Sequence, residues 1–158
     1  MTTSLATQSL TNARLLALQA LYMQMITQES FSNVLTALTQ QPLAQSVLSE
    51  KNGKEISVSI TQADQKLLLK IVRSYEENQK LIETMLGKAL NQGTTLSQLD
   101  IVLQLILKTA VAERLAQPEL DLAILISEYS DLTRSFYETE EVALVNAILN
   151  KVSTVMGV

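Results

Sequence analysis

Residues 124–149 read ILISEYSDLTRSFYETEEVALVNAIL, and their periodicity decides the fold. Leu122, Leu125, Tyr129, Leu132 and Phe136 step by three and four, which places them on one face of a helix. The pattern breaks at Tyr137–Glu138. Thr139 then has the chemistry of an N-cap, and Glu140 and Glu141 fall in a first turn, where negative charge suits the helix dipole. The stepping resumes through Val142, Val145, Leu149, Val152 and Met156. Two apolar faces joined by so short a turn must pack on each other or on a shared partner. The stretch predicts a helical hairpin that walls a helical core.

Working outward, Ser97 with Asp100 predicts a cap for a helix that runs to about Ala116 and stops before Pro118. Leu103, Ile106 or Leu107, Ala110 and Leu115 supply its apolar side. Positions 101–107 are apolar except Gln104, so this helix is expected at the centre of the fold. Before it, Thr61 with Asp64 resembles a weakened capping box opening the longest helix. Its stripe is Leu68, Ile71, Val72 and Tyr75, resumed by Ile82, Met85, Leu86 and Ala89, with Gly93 ending the segment. The polar centre, Arg73 to Lys80, predicts a kink or a crossing of the surface. Lys66, Lys70, Arg73 and Lys80 share one face. Arg73–Glu77 and Glu76–Lys80 are helical neighbours, so a solvated, salt-bridged face is expected rather than a phosphate track.

Nearer the start, a helix is predicted from Thr11 or Asn12 to about Ile26 on Leu15, Leu18, Leu21, Tyr22 and Met25. Residues 1–11 are expected to be flexible. A short helix follows from Ser32 to Gln41, stopped by Pro42, which itself can open a helical turn through Leu48. Glu50 to Lys54, with Asn52-Gly53, is a turn signal. Ile56, Val58 and Ile60 alternate with polar residues in a strand pattern that has no evident partner, so 50–61 is expected to be a loop insertion.

The 158 residues suit one domain, 1–158, and 47% hydrophobic against 18% charged content is that of a folded chain. Gln, Thr or a charge interrupts every apolar run, so no membrane span is expected. The opening residues lack the basic start and apolar block of a secretory signal. No cysteine is present, which excludes disulfides and fits a cytoplasmic setting. Without His or Cys there is no imidazole base, thiol nucleophile or zinc site built on either. The four glycines stand singly, so no glycine-rich loop cradles a phosphate, and no cofactor is expected. Glu76–Glu77 and Glu140–Glu141 are adjacent and point about 100° apart, so neither pair is a catalytic dyad by its spacing. An enzyme is the least supported class.

Net charge is −4, and its distribution is uneven. Residues 1–28 carry one charged side chain, Arg14; residues 51–88 carry seven basic and five acidic ones; from Leu96 onward there are four basic and nine acidic. A strongly basic patch or tail, the usual footprint of a nucleic-acid binder, is not evident.

Three stretches together resemble the NusB transcription antitermination factors. They are Ala13-Arg14-x-x-Ala17-x-Gln19-Ala20-Leu21-Tyr22; Leu99-Asp100-x-Val102-Leu103 continuing through Lys108, Ala110 and Glu113; and Ile126-x-Glu128-Tyr129-x-Asp131-Leu132-x-x-x-Phe136, followed by Val145-Asn146-x-Ile148-Leu149. The likeness runs in order from about Asn12 to Val152. It implies an all-α, NusB-like domain of about six or seven helices in two packed bundles sharing the helix that ends at Ala116.

By the same resemblance, the function is antitermination with NusE, a small-subunit ribosomal protein, on boxA-type RNA. The pair serves the RNA polymerase antitermination complex, chiefly in rRNA operons. Arg14, Tyr22 and Lys108 become RNA-binding candidates; a core place with its hydroxyl at the rim is an equal reading for Tyr22. Glu138, Glu140 and Glu141 become partner-binding candidates, with helix capping the plain alternative. Family members usually carry an arginine-rich segment ahead of the first helix, where residues 5–13, LATQSLTNA, hold no cation. Gln104 and Lys108 stand where arginines are usual. RNA binding is therefore expected only together with NusE. The alternative is a NusB-like protein-interaction module that has lost independent RNA binding.

Overall fold

A computed structural model describes residues 5–40, 45–48, 55–58, 63–91 and 93–156. They form α1 (Leu5–Thr27), α2 (Phe31–Gln40), β1 (Gln45–Leu48), β2 (Glu55–Val58), α3 (Gln65–Ala89), a single 3-10 turn (Leu96–Gln98), α4 (Ile101–Ala116), α5 (Leu122–Arg134) and α6 (Thr139–Met156). The predominantly helical class is as expected.

Helix α1 begins at Leu5, ahead of the expected Thr11, so residues 5–11 are helical. Every residue from Asn12 to Leu21 is buried, not only one stripe. Ala13, Ala17 and Ala20 carry almost no side chain, which lets neighbouring helices close on all sides. The helix ends where Gln28 enters the left-handed region at φ 61° and donates its N–H to the Gln24 carbonyl at 2.8 Å. Ser30 then caps α2, its Oγ accepting from the Asn33 N–H at 3.1 Å.

Between α2 and α3 the expectation is corrected. Residues 45–48 are strand β1, not a helical turn, and they pair antiparallel with β2, Gln45 opposite Val58 and Leu48 opposite Glu55. The alternation at Ile56 and Val58 was a true strand signal whose partner lay upstream, so 50–61 is not simply a loop. Pro42 and the Asn52-Gly53 turn signal lie outside the described residues.

Asp64 is itself the cap of α3, its carboxylate accepting from the Leu67 N–H at 2.9 Å. The kink falls at Asn78, with φ −124° and ψ 23° inside the helix. Its amide donates to the Ser74 carbonyl at 2.9 Å, a side-chain bond that competes with the helical ladder. Before the kink, α3 packs on α2, where Phe31 and Tyr75 meet edge to face with centroids 5.9 Å apart. Beyond it, α3 packs on α6, and Ala89 and Leu90 share a groove with Leu144 and Ile148.

Helix α4 touches α1, α3, α5 and α6, as a shared central element should. It starts at Ile101 rather than Ser97. The reciprocal cap sits one turn earlier, on the 3-10 turn, where the Gln98 side chain accepts from the Thr95 N–H at 2.8 Å. The α5–α6 hairpin is as read: Leu125, Tyr129, Phe136, Val142, Val145, Leu149 and Val152 are all buried.

Candidate nucleic-acid and partner interface

The opening helix presents Arg14 to the middle of the protein, not to water. Arg14 is 5% exposed, and its fork meets Glu113 of α4 in two parallel bonds, Nε to Oε1 at 2.9 Å and Nη2 to Oε2 at 2.8 Å. Glu113 is fully buried. Its remaining acceptor capacity takes the Tyr129 hydroxyl at 2.7 Å and the Gln117 amide at 3.1 Å. Glu128 of α5 lies 3.5 Å from Arg14 Nη1 and accepts from Thr11 Oγ1 at 3.4 Å. One closed polar centre thus joins α1, α4 and α5.

The electrostatics follow from this packing. Burial works against the charge on Arg14, but the bond to and attraction of Glu113, with Tyr129 and Glu128 adding to it, win and raise its pKa. Burial, and then the Glu113 charge and hydrogen bond, push the Tyr129 phenol well above its ordinary value, so it remains a donor. Nothing in this centre offers a reactive atom to a substrate.

The three RNA-binding candidates lie in different surroundings. Arg14, expected to meet phosphate, holds helices together instead. Tyr22 is half-buried against the core, the rim position that was one of its two readings. Lys108 is mostly covered, its Nζ 3.7 Å from Glu83 Oε1 across the α3–α4 contact. The structure does not bring these three into one exposed patch.

On the acidic hairpin, Glu138 and Glu140 are exposed. Glu141 is half-buried and turns back, accepting from the Glu138 N–H at 3.0 Å. The Glu138 carbonyl accepts from the Val142 N–H, so Glu138 is the cap residue and Thr139 the first helical one. That corrects the placing of the cap on Thr139. Asp131 is exposed and paired with Arg134, while Glu128 faces inward to Arg14.

The salt-bridged face expected on α3 is also corrected. Among the described residues the ion pairs are Arg14–Glu113, Arg14–Glu128, Lys108–Glu83 and Arg134–Asp131. Lys66, Lys70, Arg73 and Lys80 are exposed and take part in none of them.

The three stretches that carried the family likeness converge on the buried centre: Arg14 from the first, Glu113 from the second, Glu128 and Tyr129 from the third. The NusB family model matches residues 11–154. The chain belongs to the NusB family. It is 35% identical over 142 residues to the transcription antitermination protein NusB of Mesorhizobium japonicum, covering 89% of this chain and 86% of that protein. Its fold is similar to NusB of T. maritima, with TM-score 0.70 and 18% identity over 98% of this chain and 93% of that one. It also resembles a chain from the complex of antitermination factors NusB and NusE with double-stranded RNA, with TM-score 0.69 and 17% identity over 92% and 96% of the two chains.

Sequence reasoning singled out Arg14 but not its partners. Glu113 was visible as the one acidic residue of the largely apolar α4, a signal that a buried counter-ion was needed.

Proposed function

We propose that the chain is a transcription antitermination factor acting with NusE on boxA-type RNA, chiefly in the transcription of rRNA operons. Membership of the NusB family across nearly the whole chain carries this reading. The mechanism is one of binding: a rigid helical scaffold holds a protein face and an RNA face in fixed relation, and no bond is made or broken. The protein works in the cytoplasm, where its targets are, and no helix among the described residues is long and apolar enough to cross a membrane.

The protein face is the α5–α6 turn. Glu138 and Glu140 would steer a basic partner such as a ribosomal protein and fix its orientation. Glu141 supports that turn from within through its bond to the Glu138 N–H. Tyr22 and Lys108 flank the RNA at most, since each is largely covered.

The second reading, a protein-interaction module without independent RNA binding, is favoured by one observation. The sole cation of residues 1–28 is buried against Glu113. Titrating NusE from the same organism into the chain, then adding boxA-type RNA, separates the two. Antitermination predicts a ternary complex and increased read-through in a terminator assay. A NusE complex that gains no RNA affinity over NusE alone selects the module. No complex with NusE at micromolar concentration contradicts both.

A further inference from the structure

Helix α3 carries a line of cations that take no part in the ion pairs among the described residues. Lys66, Lys70 and Arg73 are spaced four and three apart, which stacks them on one side of the helix, and Lys80 follows beyond the Asn78 kink. All four are exposed, and among the described residues none has a carboxylate within 4.0 Å. The opposite side of the same helix, with Leu68, Ile71, Val72 and Tyr75, is buried in the core, so the line is held in place by packing. At a rise of 1.5 Å per residue it extends for about 21 Å. Glu76 and Glu77 are its only acidic interruptions.

We infer that this face of α3 is a track for the phosphate backbone of single-stranded RNA. It supplies cations that α1 lacks, because Arg14 is turned inward and residues 5–13 have none. The inference rests on the RNA-binding reading above and adds where the RNA runs. Phe31 and Tyr75, whose rings meet where α2 packs on α3, are 3% and 8% exposed, so neither offers a base a stacking surface. The track reads charge and not sequence. A lipid surface is disfavoured because the apolar stripe of α3 faces the core, and Leu69 and Leu81, its exposed large apolar side chains among the described residues, stand singly.

The test measures RNA binding by the full chain with NusE, by fluorescence anisotropy over a salt series. The RNAs are a boxA-type strand and a scrambled strand of the same length. The Lys66→Gln, Lys70→Gln, Arg73→Gln variant is expected to bind both at least about tenfold more weakly. Its slope of log affinity against log salt should be shallower by about two, since each single-strand phosphate contact contributes about 0.7. A Lys66→Arg, Lys70→Arg, Arg73→Lys variant should retain affinity and slope, and unchanged thermal melting of both excludes unfolding as the cause. An unaltered slope in the glutamine variant, with wild-type binding intact, overturns the track. So does capture of the wild-type complex by vesicles of phosphatidylcholine and phosphatidylserine with no charge-dependent RNA binding. Failure of the wild-type complex to bind either RNA removes the antitermination reading itself, and the track with it.

Discussion

Two sets of cations divide the molecule. On α1, Arg14 is enclosed by Glu113, Glu128 and the Tyr129 hydroxyl, and its charge is balanced inside the protein. On α3, Lys66, Lys70 and Arg73 are exposed, and among the described residues no carboxylate pairs with them. Sequence position alone suggests the opposite assignment, because Arg14 lies in the helix whose wording most resembles an RNA-binding family. The difference teaches that a cation's availability depends on what its helix packs against. α1 is buried on all sides over Asn12 to Leu21, so a charge there must find a partner or unfold the region. α3 has a dry side and a wet side, and its charges lie on the wet one.

The largest expected effect comes from breaking the buried set. Glu113→Ala leaves Arg14 charged and desolvated, with the longer contact to Glu128 in place of its two parallel bonds, and should cost about 3–5 kcal/mol in chemical denaturation. Lys70→Ala on the exposed set should change stability by less than about 0.5 kcal/mol. Equal losses at the two positions would erase the distinction between them.

A smaller loss is expected at Tyr129. Tyr129→Phe removes a hydrogen bond to a buried carboxylate and should cost about 1.5–3 kcal/mol. The wild-type phenol also gives the fold a pH dependence. Its folded pKa is raised, so the unfolded chain releases the proton first as pH climbs. The contribution is fully present below the unfolded tyrosine value of about 10 and is lost above it. Arg14, also raised, acts in the same direction. Denaturation midpoints measured between neutral pH and pH 11 should fall more steeply in wild type than in Tyr129→Phe. Parallel curves would show that the phenol is not held as described.

The smallest effect separates two neighbours on the acidic hairpin. Glu141→Ala removes the bond that closes the start of α6 and should cost about 0.5–1 kcal/mol. Thr139→Ala, at the first helical position, should cost less than that. The reverse order would return the cap to Thr139.

How much of this was legible follows from the period of each signal. The α5–α6 hairpin, with Leu125, Tyr129, Val145 and Leu149 on facing stripes, was readable because burial on one face leaves a 3.6-residue pattern. The kink near Asn78 was readable as a polar interruption. Helix α1 misled, since burial on all sides has no period and its small residues gave only a narrow stripe. Strand β1 was missed because Pro42 and a short apolar pair mimic a helical turn, and a strand shows itself only with its partner. The pairing of Arg14 with Glu113 spans 99 positions, and no local pattern carries it. The free cations on α3 were misjudged for a related reason. Helical neighbours four apart can pair, but exposed pairs of this kind gain little and need not form.

The assignment of Arg14 to the interior is tested most directly by an Arg14→Met, Glu113→Leu, Tyr129→Phe variant. It replaces the buried charges with apolar groups of similar volume, an exchange that buried ion networks often tolerate. Its affinity for boxA-type RNA in the presence of NusE is measured over a salt series beside wild type. The account predicts the same slope of log affinity against log salt, because no phosphate contact has been removed. A slope shallower by about 0.7, the signature of one lost single-strand contact, would place Arg14 on the RNA and contradict it.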